Sequence, residues 1–131
     1  MEAEWGYAAG GGANDRTKWA GTSDGKALGD YAWYNANRGG KTHPVDEKKP
    51  NALGLYDMSG NVWEWCQDHW HDSYKGAPAD GSAWEDRGDD AFRVARGGSW
   101  GDGPVGARVS SRVWHTIARL SGLGFRLART F

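Results

Sequence analysis

The chain has 131 residues, a formal net charge of −1 and a single cysteine, and it contains 9 Trp, 5 Tyr and 21 Gly. This length holds one hydrophobic core, so we expect a single domain over residues 1–131. The balanced charge argues against a nucleic-acid-binding protein, one cysteine excludes an intrachain disulfide, and no apolar run is long enough to span a membrane. We expect no signal peptide, and a free thiol is compatible with the cytoplasm, but the sequence assigns no location.

The first predicted element is a helix over residues 2–9, with Trp5 and one of the alanines that follow it on the same face. Three glycines at 10–12 end this helix, because glycine readily adopts the left-handed conformation found after a helix. Turn-forming residues dominate 13–30, which we expect to be an irregular loop.

Residues 54–65, with the sequence GLYDMSGNVWEW, are the most informative stretch of the chain. A turn is predicted at 59–61, and a strand follows it. Side chains alternate along a strand, so Trp63 and Trp65 share one face and Glu64 lies on the other. A carboxylate in such a setting needs a cation or several donors, because burial without a partner is costly.

One loop and three further strands are predicted in the second half of the chain. Residues 73–91 are rich in Gly, Asp, Ser and Pro, which indicates a surface loop. Alternating apolar residues predict a strand over 92–95, and a short strand is expected at 108–110. A closing strand is predicted over 123–127, with Phe125 directed inward.

Charge is unevenly distributed along the chain. Residues 68–90 contain seven acids and two basic residues, whereas residues 93–131 contain seven arginines and one aspartate. We expect the two segments to pack near each other and form ion pairs, because scattered arginines without lysines are a poor footprint for nucleic acid.

Two glycine-rich motifs match enzyme patterns but lack the context that those patterns need. Residues 97–101 match the G-x-S-x-G nucleophile pattern, but a Gly/Pro loop follows where a helix is required. We therefore expect Ser99 to form local hydrogen bonds. Residues 101–106 match a dinucleotide fingerprint, and Pro104 argues against the helix that such a fingerprint opens.

Two groups of residues are candidate metal ligands. His69 and His71 lie on one side of an extended segment, where zinc would need a further ligand from elsewhere; the alternative is a pair of surface histidines. Asp57, Glu64 and the carbonyls between them are candidates for calcium, which takes about six to eight oxygen ligands. The alternative is that Glu64 caps backbone N–H groups or pairs with an arginine from the C-terminal third.

Five ordered segments together resemble the formylglycine-generating-enzyme (sulfatase-modifying factor) family, a variant of the C-type lectin fold. These segments are residues 2–12, 39–45, 50–65, 93–100 and 123–129. The resemblance implies an α+β, C-type lectin-like domain that is rich in loops, with short helices and small antiparallel sheets. The family commonly has a further N-terminal segment, which we expect this chain to lack or to receive from a partner chain, so an oligomer is possible.

The resemblance also bears on metals. The family's copper-dependent enzymes bind Cu(I) through two cysteines at positions that are Asp102 and Ala107 here, so we expect no copper and no catalysis of that kind. One family calcium site corresponds to side chains or carbonyls that this chain retains. They are Asp57, Gly60, Val62 and Glu64. The family's other calcium site, around residues 35–42, is expected to be absent.

A second branch of this fold, the variable proteins of diversity-generating retroelements, is similar in ending with an RGGSW motif, a diversified stretch and a GFRLA-type strand. The resemblance implies a non-catalytic module whose residues 101–122 bind a protein or another macromolecule. Arg108, Arg112 and Arg119 would be framework residues, and Trp114, His115 and Ile117 would be the anchors. The candidate ligand-binding residues are Gly101, Asp102, Gly103, Val105, Gly106, Ser111, Val113, Trp114, His115, Thr116, Ile117, Leu120, Ser121 and Gly122.

Two alternative functions stay open at the level of sequence. One is a metal-dependent oxidoreductase of the sulfatase-modifying type, for which His69 and His71 would be the nucleus of the metal site. The other is a structural subunit that a partner chain completes.

Overall fold

The computed structural model describes residues 1–14, 16–85, 89–116 and 120–128, with the backbone alone for 89–91. In this part of the chain, the regular structure consists of two short helices and four strands. They are α1 (Glu2–Ala9), α2 (Leu28–Tyr31), β1 (Trp63–Trp70), β2 (Asp89–Arg96), β3 (Arg112–His115) and β4 (Leu123–Gly124). The strands form one sheet in the order β3-β2-β1-β4, in which only the β1–β4 pair is parallel. The α+β, loop-rich prediction is confirmed.

The predicted first helix is confirmed over Glu2–Ala9. Its buried face carries Trp5 and Ala9, which pack on the sheet. Gly11 and Gly12 have φ angles of 87° and 101°, in the left-handed region that ends a helix and favours glycine.

Within the predicted 13–30 loop the structure contains the single helical turn α2. Leu28, which begins this turn, is fully buried and packs against Trp19, Ala32 and Ala107 in a second apolar cluster. A four-residue turn is too short to show a helical period in the sequence, so it was missed.

The strand predicted after the 59–61 turn is confirmed as β1, and the strand predicted at 92–95 lies within the longer β2. The predicted 73–91 surface loop is mostly exposed over 73–85, but its last residues are the beginning of β2.

The strand predicted at 108–110 is wrong. This stretch is turned, with the backbone N–H of Arg108 bonded to the carbonyl of Val105 at 3.3 Å, and the strand is formed by Arg112–His115 instead. The inward orientation predicted for Phe125 is also wrong, because β4 ends at Gly124 and Phe125 is 74% exposed. The guanidinium of the neighbouring Arg126 reaches the buried carboxylate of Glu64, at 2.7 Å.

The turn before β1 brings two backbones into direct contact. Gly60 has a φ of 78° and pairs with Trp33, and a Cβ at this position would lie 2.2 Å from the Trp33 carbonyl oxygen. Asp57 and Asn61 also adopt positive φ, at 57° and 63°. Glycine is therefore required at the point of closest approach.

Among the described side chains, the arginines of the C-terminal third pair mainly with carboxylates outside the acid-rich 68–90 stretch, of which Asp86, Asp89 and Asp90 lie outside the described side chains. Arg112 contacts Glu2 at 2.9 Å and Arg126 contacts Glu64 at 2.7 Å, whereas the acidic stretch contributes Glu85, 4.0 Å from an arginine of β2. The prediction of internal ion pairing is correct for these arginines, but the acidic partners are different. Among the described residues, no helix has the length and apolar character needed to cross a bilayer.

Candidate ligand-binding face

The predicted ligand-binding residues are accessible wherever the structure describes them. None of the described members of the predicted set is buried, and Ile117 lies outside the described residues. Ala107 and Val109, which interrupt the set and were not included in it, are 0% and 5% exposed. The segment over 101–122 therefore contains both framework positions and surface positions, and the predicted residues fall on the surface.

Strand β3 divides the set between the two faces of the sheet. Trp114 makes an edge contact with Phe92 of β2, with ring centroids 4.4 Å apart. His115 points the other way and makes an edge contact with Trp65, at 6.2 Å. Val113 shares the His115 side, because side chains alternate along a strand. The predicted anchors Trp114 and His115 therefore do not form one continuous patch.

We call the side of the sheet that carries Trp63, Val113 and His115, together with the loop 99–103 and the turn 120–122, the His115 face. The backbone N–H of Trp63 is bonded to the carbonyl of Gly122 at 2.8 Å, which holds the 120–122 turn against the first residue of β1.

Asp102 fixes the 99–103 loop to the sheet. One oxygen of its carboxylate, Oδ2, accepts hydrogen bonds from the Trp63 indole N–H at 2.8 Å and from the Ser99 backbone N–H at 2.9 Å. The Ser99 hydroxyl donates to the same oxygen at 2.5 Å. Ser99 is thus locked by local hydrogen bonds, as expected, and Asp102 has a structural role in addition to its predicted place in the binding set.

Trp100 connects the 99–103 loop to the rest of the His115 face. Its indole N–H donates to the carbonyl of Ser121 at 3.4 Å, and the guanidinium of Arg38 lies over its ring at 4.8 Å. Leu120, in the same turn, is 48% exposed. This end of the face therefore presents a cation over an aromatic ring beside an exposed leucine.

Val105 and Ser111 belong to the opposite side of the molecule. The Ser111 hydroxyl donates to the Val105 carbonyl at 2.5 Å, and the Ser111 carbonyl accepts from Arg96, whose guanidinium lies 5.2 Å over the ring of Trp5 in α1. Together with Trp114 these residues lie towards the helix-covered side of the sheet, away from the His115 face.

The predicted calcium ligand Glu64 is engaged by other groups. Its carboxylate accepts hydrogen bonds from the Trp5 indole N–H at 2.8 Å and from both Nε and Nη2 of Arg126, at 3.0 and 2.7 Å. This is the alternative that the sequence left open, an arginine from the C-terminal third. The Arg126 guanidinium therefore satisfies both oxygens of this carboxylate, and Glu64 as a calcium ligand stays a prediction.

Asp57 fits a cation better. Its Oδ2 accepts the backbone N–H of Asp46 at 2.9 Å, while its Oδ1 is buried and has no hydrogen-bond partner. A buried acceptor without a partner costs free energy, which a bound cation would recover. Calcium at this loop, with Gly60 and Val62 as carbonyl donors, stays a prediction.

His69 and His71, the predicted nucleus of a metal site, gain no third ligand from the residues that the structure describes. The part of the chain that the structure describes has no group of three or more His, Cys, Asp or Glu residues that could hold a metal ion. The His71 ring is stacked on Trp84 with centroids 3.5 Å apart, and His69 is buried in β1.

Burial raises the pKa of the Cys66 thiol to about 12, and the neighbouring Asp68 adds to the effect. A soft metal such as Cu(I) binds thiolate, and this thiol is protonated at neutral pH. The two positions that correspond to the family's copper ligands hold Asp102 and Ala107. The Asp102 carboxylate is hydrogen-bonded to Ser99 and Trp63, and Ala107 is buried.

Comparison with known proteins agrees with this architecture. The model of the family described as "Sulfatase-modifying factor enzyme 1-like domain" matches residues 1–131. The formylglycine-generating enzyme of Streptomyces coelicolor is 38% identical over 141 residues, which cover 97% of this chain and 45% of the enzyme.

Two solved structures are similar. Treponema denticola variable protein 1 has a TM-score of 0.80 and 44% identity, covering 95% of this chain and 44% of that one. PvdO from Pseudomonas aeruginosa has a TM-score of 0.83 and 37% identity, covering 95% and 49%. The chain spans less than half the length of these three relatives. With its whole length matched, the chain belongs to the sulfatase-modifying factor family, the family of the formylglycine-generating enzymes.

Proposed function

We propose that this chain is a non-catalytic binding module that presents the His115 face to a protein or another macromolecule. The observation that carries the proposal is the pattern of exposure over 101–122. The described members of the predicted set lie on the surface, while Ala107 and Val109 between them are buried. The likeness to Treponema denticola variable protein 1 supports the same function.

The face is held by contacts that do not use its exposed side chains. Asp102 ties the 99–103 loop to Trp63, and the 120–122 turn is tied to the backbone of the same tryptophan. A surface ordered before it meets a ligand loses little conformational entropy on binding, so more of the contact energy contributes to affinity. Side chains of the face other than Asp102 can be exchanged without disturbing these framework contacts.

The partly exposed groups of the face suit recognition of a macromolecule. Trp100 with Arg38 above it lies at one end of the face, and His115 with Trp65 lies further along the sheet. Aromatic and arginine side chains dominate binding energy at protein interfaces, where a few anchors carry most of the affinity. Leu120 adds an exposed apolar side chain between polar neighbours.

The experiment that tests this proposal is saturation mutagenesis of residues 99–123 on a displayed form of the chain, with display level as the measure of folding. Val113, His115 and Leu120 should accept most substitutions, whereas Ala107 and Val109 should accept few. Equal intolerance at both sets would mean that the predicted positions are framework and would end the proposal.

A second test uses the coding DNA. We expect the flanking region to encode a reverse transcriptase and to contain a near-repeat of the sequence for residues 93–131. Differences between the two copies should fall at adenines of the template. Copper-dependent oxygen consumption with a cysteine-containing peptide would instead show that the chain is an enzyme.

A further inference from the structure

A pocket of about 340 Å³ lies between residues 16–18, Tyr74, the end of β2 and residues 109–110, at a place that the His115 face does not explain. Three of its lining side chains are cationic, and they are Arg16, Lys18 and Arg96. None of the described residues that line it carries a carboxylate, and Asp15, next to Arg16, lies outside the described residues. A concave site lined by charges of one sign attracts ions of the other sign.

Arg96 is the buried member of this group, with 5% of its surface exposed. Its guanidinium lies 5.2 Å over the ring of Trp5, and its Nη1 donates to the carbonyls of Ser110 and Ser111. Its Nε is buried and has no hydrogen-bond partner. The carbonyls carry no net charge, and a buried cation is costly unless an anion is close to it.

Glu2 provides only part of the negative charge that Arg96 needs. Its Oε1 lies 3.5 Å from Nε of Arg96, but its carboxylate accepts hydrogen bonds from Nε and Nη2 of Arg112, at 2.9 and 3.0 Å. The Tyr74 hydroxyl donates to the same Oε1 at 2.8 Å. Two guanidinium groups, with side chains only 6% and 14% exposed, therefore share one negative charge.

Asp68 is the other described carboxylate near Arg96. It lines an adjoining pocket that Arg96 also lines, but it does not line this one. Its two oxygens accept the backbone N–H groups of Glu2 at 2.6 Å and Trp84 at 3.0 Å. The carboxylate of Asp68 is thus engaged by the backbone, and it leaves the cationic lining of this pocket without an anion.

Arg16 and Lys18 add two exposed cations that form no ion pair with a described residue. The Arg16 guanidinium donates to the carbonyl of Gly6 at 3.0 Å, and the Lys18 ammonium lies 4.6 Å over the ring of Trp19. Together with the two guanidinium groups that share Glu2, the described part of this region has four cationic and two acidic side chains. It therefore keeps an excess of positive charge beside the pocket.

We infer that this pocket binds a phosphate group, as the free ion or as a monoester. Such a group carries a charge of about −1.5 to −2 at neutral pH, which matches the excess better than a single carboxylate does. A guanidinium fits the oxygens of phosphate with two parallel hydrogen bonds, and a lysine binds phosphate as a point charge. The inference does not depend on the function of the His115 face.

The test is isothermal titration calorimetry of the purified chain with inorganic phosphate at constant ionic strength. The double variant Arg16→Gln/Lys18→Gln removes two charges from the pocket and leaves Arg96 in place. The matched control Lys26→Gln/Lys41→Gln removes the same charge from two exposed lysines that do not line the pocket. Thermal melting confirms that both double variants are folded.

We expect saturable binding to the wild type, about tenfold weaker binding to Arg16→Gln/Lys18→Gln, and unchanged binding to the control, because only the first loses charges that face the ligand. A wild type that does not bind, or equal effects of the two double variants, would overturn the inference. Succinate, which spreads its two charges over two carboxylates, should bind more weakly, and equal affinity for succinate would contradict the assignment to phosphate.

Phenyl phosphate distinguishes the two sources of the group. The Tyr74 side chain lines the pocket and is 56% exposed, so a monoester with an aromatic ring can contact it. Binding of phenyl phosphate at least as tight as that of inorganic phosphate would assign the pocket to a monoester. Binding of inorganic phosphate alone would assign it to the free ion.

Discussion

Asp102 shows at the level of one residue how a position can belong to a surface and still be structural. Its Oδ2 accepts three hydrogen bonds, two from Ser99 and one from Trp63. In the family's copper enzymes this position is a cysteine that binds metal. Here the carboxylate uses the same location to fix a loop against the sheet, so the side chain serves the framework of the face.

Asp102→Ala should lower the free energy of unfolding by about 1–3 kcal/mol, because the Trp63 indole and Ser99 lose a charged acceptor in a half-buried site. Urea unfolding followed by tryptophan fluorescence measures the loss. Asp24→Ala is the matched control, since that carboxylate accepts only an exposed local bond from Lys26. A loss no larger than in the control would show that the loop does not need Asp102.

Asp57 and Glu64 were predicted to share a calcium ion, but their hydrogen bonding differs. Glu64 is paired with Arg126, whereas Oδ1 of Asp57 has no hydrogen-bond partner. We expect calcium to raise the melting temperature of the wild type, because a ligand that binds only the folded state stabilises it. Asp57→Ala should abolish this response. Glu64→Gln should lower the melting temperature but keep the response, since Glu64 is paired with Arg126. A wild type that melts identically in calcium and in chelator would remove calcium from this loop.

At the level of elements, the turn before β1 depends on one glycine. Gly60 and Gly54 both have positive φ, at 78° and 75°, but only at Gly60 would a Cβ meet the backbone, whereas nothing lies within 4 Å of it at Gly54. An alanine at Gly54 would add only the strain of the left-handed conformation. An alanine at Gly60 would add the same strain and a steric clash, so comparing the two variants measures the clash.

Gly60→Ala should destabilise the chain by at least about 2 kcal/mol more than Gly54→Ala, because both place an alanine in the left-handed region and only the first displaces Trp33. Chemical unfolding of the two variants checks this difference. Equal losses of unfolding free energy would mean that the backbone around Gly60 and Trp33 shifts to accommodate a Cβ without destabilising the fold.

Strand β3 places Trp114 and His115 on opposite sides of the sheet, so Trp114 lies outside the His115 face. Trp114 is 49% exposed and touches Phe92. We expect Trp114→Ala to fold and to cost about 1–2 kcal/mol, for an edge contact and partial burial. Trp5→Ala, a buried tryptophan, should cost about 3–5 kcal/mol. Circular dichroism during urea titration compares them, and loss of folding in Trp114→Ala would make Trp114 a core residue.

At the level of the whole molecule, the buried thiol of Cys66 makes stability depend on alkaline pH. Its pKa rises from 9.0 to about 12 on folding, chiefly because burial disfavours the thiolate. The folded state therefore binds the proton more tightly than the unfolded chain. Below pH 9 the thiol is protonated in both states and the stabilisation is fully present. Between pH 9 and about 12 the unfolded thiol ionises while the folded one stays protonated, so the free energy of unfolding falls.

We expect the free energy of unfolding to fall as the pH rises above 9, and the fall to be smaller in Cys66→Ala than in the wild type. Urea titrations at a neutral and an alkaline pH measure both slopes. Parallel slopes in the two proteins would show that Cys66 does not titrate with unfolding in this range.

Local patterns predicted several parts of this fold well. The helix over Glu2–Ala9 is confirmed because its glycine stop is a local signal, and β1 and β2 are confirmed because alternation is readable along a strand. The turn α2, the position of β3 and the outward Phe125 were not predicted, because each depends on which surface the segment meets after the chain has folded. The ion-pair partners of Arg112 and Arg126 lie 110 and 62 residues away, beyond the reach of any local pattern.

By itself the sequence determined the family and the α+β class, because these depend on motifs and composition. Only the tertiary structure decided which exposed residues share a face, that Asp102 is tied to Trp63, and that Glu64 holds Arg126 rather than standing free. It also brought α1, the segment 53–58 and β1 together around an apolar groove. The physical reason is that contacts between distant segments depend on sheet order and register, which the packing of the whole chain selects.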